Sequence, residues 1–305
     1  MTKAPAPDLR LPLAMLVIGG VAWGGIFTVN KMAAAAGIPP VAYAFWPVLI
    51  AGIGVTLVAL IIDRRLGLSR DHLVFYFFSG LANVGFGMII LAYVAARLPA
   101  GVVTLAMMVS PTMTYVFALL LGIDRIRWKS VLGIAFGVVG VLTLTVPDLS
   151  LPGPDMAAWF FLALLAPLGF ATGTIYVALK RPPESSAVGL AAGLALGAAV
   201  FMLPVYLLAG EGFHPFAASG EALVALGLAA GVHGVTLALF FEIVRRAGPV
   251  FFSQLGYISI VAGLAWGVIV FGEAHSVWVW SAAGRLLVGL YLVNAGTRET
   301  LSERG

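Results

Sequence analysis

Residues Leu11–Met32 read LPLAMLVIGGVAWGGIFTVNKM, and this stretch decides the fold. No charge falls between Leu11 and Asn30, and the run closes on Lys31. About twenty such residues wound as an α-helix reach about 30 Å, the thickness of a bilayer's hydrocarbon core. Sliding the chain against itself by 149 residues lays this stretch on Phe160–Arg181, FFLALLAPLGFATGTIYVALKR. Gly20 then pairs with Gly169, Gly24 with Gly173 and Lys31 with Lys180.

The same shift pairs Gly85 with Gly234, Arg97 with Arg246, Ser110 with Ser259, Asp124 with Glu273 and Gly140 with Gly289. Glycine matches come cheaply in a chain with 37 of them, so the charges weigh more. Chance predicts roughly 0.7 same-sign pairs at this charge content, against three observed.

Composition agrees with a lipid solvent. Of 305 residues, 61% are hydrophobic and 10% charged, and the mean hydropathy is +1.06. That leaves too little polar surface to coat a water-soluble globule. There are no cysteines, which excludes disulfides and thiol chemistry. The net charge of +4 is carried mostly in short loops, a membrane pattern rather than a nucleic-acid one.

Apolar runs lie at Leu11–Met32, Val41–Ile62, His72–Ala96, Ala100–Leu121, Ser130–Val146, Met156–Leu179, Ala187–Ala209, Ala222–Val244, Val250–Phe271 and Val277–Ala295. None alternates like a barrel strand, so the sequence predicts an all-α membrane protein of ten transmembrane helices. Lys3, Arg10 and the small residues Ala33–Ala36 imitate a secretory signal around the first run. That run is long for a signal and has a partner at Phe160–Arg181, so it reads as a retained helix.

Placing both termini in the cytoplasm puts fourteen Lys and Arg residues inside and only Lys31 and Arg97 at outer ends. Five helices per half force the halves into opposite orientations, the inverted repeat of secondary transporters. The halves are expected at 1–149 and 150–305, joined by the proline-rich segment 147–155.

Trp23-Gly24-Gly25-Ile26-Phe27 followed by Asn30-Lys31, with Ser110-Pro111 and Gly272-Glu273, resembles the EamA branch of the drug/metabolite transporter (DMT) superfamily. Within it the chain is most similar to YddG-type aromatic amino-acid exporters. The resemblance implies ten helices in a five-plus-five inverted repeat and a multi-pass protein of the bacterial inner membrane. It also implies export of small metabolites. Asp124 stands where that family usually has Gly-Glu.

Polar and aromatic side chains at mid-depth mark the expected substrate pathway: Trp23, Asn30, Asn83, Phe86, Met107, Met108, Ser110, Phe170, Tyr176, His233, Ser253, Gln254 and Tyr257. Lone hydroxyls usually bond back to their own helix, whereas Asn83, His233 and Gln254 need a partner in hydrocarbon. For those three, lining a pathway and gluing helices together are equal readings. Gly24, Pro111, Pro167 and Gly173 are candidate hinges or kinks, with close packing as the bland alternative for the glycines. Lys31 and Lys180 either snorkel or serve a gate or a substrate carboxylate. Arg285, read as mid-span, fits helix packing or subunit contact better than substrate binding.

The function expected is export of aromatic or other apolar amino acids from cytoplasm to periplasm by alternating access. No Asp or Glu lies near a span centre, so tight proton coupling is not expected. Export of other small metabolites or drugs is the alternative within the superfamily. An intramembrane lipid-modifying enzyme is a remote one, because no nucleophile, phosphate-loop or metal-ligand motif appears. No enzyme activity, cofactor, metal or nucleic-acid partner is expected; the partners are a small-molecule substrate and the bilayer.

Overall fold

The computed structural model describes residues 10–62, 66–122, 125–145, 156–183, 185–247, 249–252 and 254–303. Asp124, Ser253 and the linker 147–155 lie outside them. Every regular element among the described residues is helical. In lipid each backbone polar group must be satisfied within its own segment, and helices do this.

The first half contains α1 (Arg10–Ala35), α2 (Pro40–Ile62), α3 (Arg70–Gly80), α4 (Phe86–Ala95), α5 (Ala100–Met107), α6 (Ser110–Leu120) and α7 (Trp128–Thr145). The second contains α8 (Met156–Ala163), α9 (Leu165–Lys180), α10 (Ala187–Ala209), α11 (Gly220–Ala247), α12 (Pro249–Phe252), α13 (Leu255–Phe271) and α14 (Val277–Glu303). Seven helical runs are long and apolar enough to cross a membrane, and three shorter apolar helices accompany them among the described residues. Large apolar side chains face outward along them, Ile61, Leu120, Ile269 and Leu208 among them. A water-facing surface would not carry that belt.

Several runs that read as single helices are interrupted. One π-turn, Leu81–Gly85, joins α3 to α4. The chain breaks at Met108–Val109 and again at Leu164, and Pro111 and Pro167 sit in the first turn of the helix that resumes. Proline is tolerated there, because the amide it lacks has no intrahelical partner anyway. A further turn at Gln254 precedes α13.

Packing crosses between the halves. Helix α1 lies along α11 and α13, while α9 lies along α3, α4 and α6. Helix α2 packs on α10, and α7 on α14. Ser259 and Trp266 of α13 donate to the Gly20 and Val21 carbonyls of α1, each at 3.1 Å. Small residues permit the approach: a Cβ on Gly24 would stand 2.7 Å from the Ser259 carbonyl oxygen. One on Gly133 would stand 2.7 Å from that of Gly289, at the contact of α7 with α14. Without a hydrophobic drive between helices in lipid, such contacts and interhelical hydrogen bonds supply the association.

Candidate functional site

One end of the bundle is organised around Glu273. Gly272 terminates α13 in the left-handed conformation (φ 62°), with its amide on Val268 and that of Glu273 on Gly267. This glycine cap turns the chain so that the next side chain points back across the bundle end. The Glu273 carboxylate takes the Lys31 ammonium on Oε1 at 2.6 Å. It also takes the first two amides of α5, Ala100 on Oε1 at 2.8 Å and Gly101 on Oε2 at 3.2 Å. Three positively polarised donors therefore converge on one carboxylate that is 6% exposed. Lys31 also stands 4.6 Å from the Phe271 ring, and His275 Nε2 lies 3.7 Å from Glu273 Oε2.

The same end holds a second carboxylate on a helix N-terminus. Glu211 accepts from Ala42 at 2.9 Å and Val41 at 3.4 Å, opening α2. A cavity of about 250 Å³ lies beside it, lined among others by Asn30, Gly37, Pro40, Tyr43, Ala92 and Ala96. Asn30 is buried, and its Oδ1 accepts from the Tyr43 hydroxyl at 2.8 Å. Its Nδ2 has no partner among the described residues.

Deeper between α1 and α11, Trp23 meets His233 edge-to-face at 5.9 Å. His233 Nδ1 sits 2.8 Å from the Ala229 carbonyl, which can only accept, so Nδ1 carries the hydrogen. The neutral ring then presents Nε2 as a bare acceptor, buried and without a partner among the described residues. Thr28, Trp46 and Thr236 contribute further buried polar atoms in the same condition from α1, α2 and α11. Polar atoms left unpaired in a bilayer interior are costly.

The other expected pathway residues are distributed as follows. Asn83 lies in the π-turn with its backbone against Gly173, and Phe86 covers Gly169 while staying 42% exposed. Phe170 covers Gly87. Met107 and Met108 are buried at the break between α5 and α6, with Ser110 just past it. Tyr176 stacks on Phe75 at 5.9 Å. Gln254 and Tyr257 begin the α13 segment. Helices α1 and α9 run unbroken through Gly24 and Gly173, which are pressed against α13 and the π-turn. Lys180 is exposed at the end of α9.

Arg285 is half-buried between two helices. It donates to Ser281 at 2.5 Å and to Thr143, close to the end of α7, at 3.3 Å. The second bond links α14 to α7. Sequence reasoning passed over Tyr43, Glu211 and His275. Their signal was weak, because an acidic or aromatic residue beside a loop usually faces solvent or headgroups. Among the described residues no group of three or more His, Asp or Glu side chains is placed to hold a metal ion.

Residues 10–146 match the profile of the EamA-like transporter family. A solved crystal structure aligns with 94% of this chain and 98% of its own at TM-score 0.61 and 16% identity, so the two share a fold. No curated protein matches the sequence significantly. Family profile and apolar helices together indicate a multi-pass membrane protein in which residues 10–146 are similar to an EamA-like transporter domain.

Proposed function

We propose that the chain exports small molecules across the bacterial inner membrane by alternating access. In this reading ten spans form an inverted repeat of 1–149 and 150–305, with both termini cytoplasmic. The observation that carries it is the crossed packing. Helix α1 belongs with α11 and α13 of the other half, and α9 with α3, α4 and α6. Two interlocked groups of this kind can rock against each other around a path between them. Interrupted helices at that path are a further support, since broken spans face protein or a wet cavity.

The Lys31 end is the periplasmic one in this orientation, and Glu273 closes it by tying α13 and Lys31 to α5. The substrate is an aromatic or other apolar amino acid. In this reading Trp23, Phe86, Met107, Met108 and Phe170 receive its ring, and His233 Nε2 accepts from an N–H. Methionines adapt to rings of different outline. With no carboxylate near a span centre, movement runs down the substrate's gradient or by exchange.

Melting of the purified full-length protein with candidate ligands separates this from the alternative, export of other metabolites or drugs. Tryptophan or phenylalanine should raise Tm, and His233→Ala should weaken the effect. A rise with other metabolite classes and none with amino acids would transfer the proposal to the alternative.

A further inference from the structure

We propose that the seat of Glu273 is a carboxylate-binding site of the transport path. The protein fills it with its own side chain in the closed state, and a substrate's carboxylate takes it when the Glu273 side chain swings out. This rests on the transport reading above and names the chemistry its ligand must carry.

The seat is over-equipped for a helix cap. Ordinary N-caps use a Ser, Thr, Asp or Asn at the Ncap itself, whereas Pro99 stands there and makes no side-chain bond. The carboxylate instead arrives from 173 residues away. Successive amides of α5 address its two oxygens separately, as they would any planar carboxylate. Lys31 adds a full charge to the partial one of the helix terminus.

His275 is the independent sign. Its side chain is 3% exposed, and Nε2 makes no hydrogen bond, yet it is directed at the seat. It stands 3.7 Å from Glu273 Oε2 and 2.8 Å from where a Cβ on Gly101 would be. A cap has no use for it. A carboxylate placed about 1 Å deeper than Glu273 reaches would bond to it.

When the Glu273 side chain swings out of the seat, α1 and α13 stay packed together and the α5 amides, Lys31 and His275 face the vacated space. A monocarboxylate competes there directly with Glu273, so substrate binding and closure are alternatives at one site. An amine lacking the carboxylate has nothing to exchange.

The test uses the purified full-length protein in detergent, with Tm read from tryptophan fluorescence. Acetate is the probe, with chloride at equal ionic strength as control. Glu273→Ala should melt below wild type. At about 100 mM, acetate should raise its Tm by about 2–4 °C and chloride should not. Wild type should show no acetate-specific rise, because its seat is filled, and adding Lys31→Met to Glu273→Ala should remove the rise. Glu273→Gln keeps an acceptor oxygen on α5 and secures a folded comparison; acetate should displace the amide and again raise Tm. Equal effects of acetate and chloride in Glu273→Gln, or a rise that survives Lys31→Met, would overturn the proposal. Melting does not depend on flux, so a protein that binds acetate here but moves no amino acid would sink the transport reading alone.

Discussion

Lys31 and Glu273 meet at 2.6 Å across 242 residues of sequence, joining the end of the first helix to the cap of α13. The carboxylate is simultaneously held by the first two amides of α5, so one side chain ties together three helices. Several measurable consequences depend on that junction and on the packing beneath it.

Replacing Glu273 by Gln removes the charge that Lys31 and the α5 terminus share. Hydrogen bonds to charged groups contribute about 1.5–3 kcal/mol each when well formed, less here because Lys31 is 28% exposed. A lower Tm is expected, together with faster labelling of a cysteine at Ala96 by an impermeant thiol reagent added outside. The wild-type chain has no cysteine, so a single introduced thiol reports alone. Unchanged labelling would show that the junction does not close this end.

Tyr43→Phe deletes the hydroxyl that donates to Asn30 Oδ1 and leaves that buried acceptor without it. The expected cost is about 1–3 kcal/mol, visible as a lower Tm. Asn30→Leu with Tyr43→Phe removes both partners and should cost less than the two single changes summed.

Gly24→Val places side-chain carbon where the Ser259 carbonyl oxygen stands 2.7 Å from the first added atom. Helix α1 cannot keep its distance from α13, and overpacking of this kind costs about 1–3 kcal/mol or more. The variant should express poorly or melt early. Gly54→Ala, which meets nothing within 4 Å, is the matched control and should behave as wild type.

His233→Ala removes the buried acceptor beside Trp23. Reconstituted protein should bind tryptophan more weakly, by about tenfold for one lost hydrogen bond, with no proton movement in either form. Proton flux tracking substrate in wild type and vanishing in this variant would replace exchange with proton coupling.

The membrane class and most helix positions were legible because bilayer thickness imposes a length on every apolar run. Leu11–Met32 and Arg10–Ala35 are the same element read twice. Interruptions were only half legible: Pro111 and Pro167 announced trouble, but the π-turn around Asn83 has no proline to mark it. Asn83, His233 and Gln254 stood out as polar groups in hydrocarbon, whereas the buried Nδ2 of Asn30, without a partner among the described residues, was not anticipated. Glu273 was visible only through the repeat and the Gly272-Glu273 pair. Its partners were hidden, since the amides of Ala100 and Gly101 belong to a helix terminus that no side-chain pattern reveals. Glu211 and Tyr43 act through the same kind of long-range backbone or hydroxyl contact, and spacing does not encode it.

The measurement that tests the central claim most directly is counterflow of labelled tryptophan, phenylalanine and threonine into liposomes carrying the purified protein. Saturable uptake of tryptophan and phenylalanine, driven by unlabelled substrate inside and reduced in Lys31→Met, is the predicted result. No substrate-dependent flux of any of the three, from protein that is folded and correctly inserted, would contradict the account.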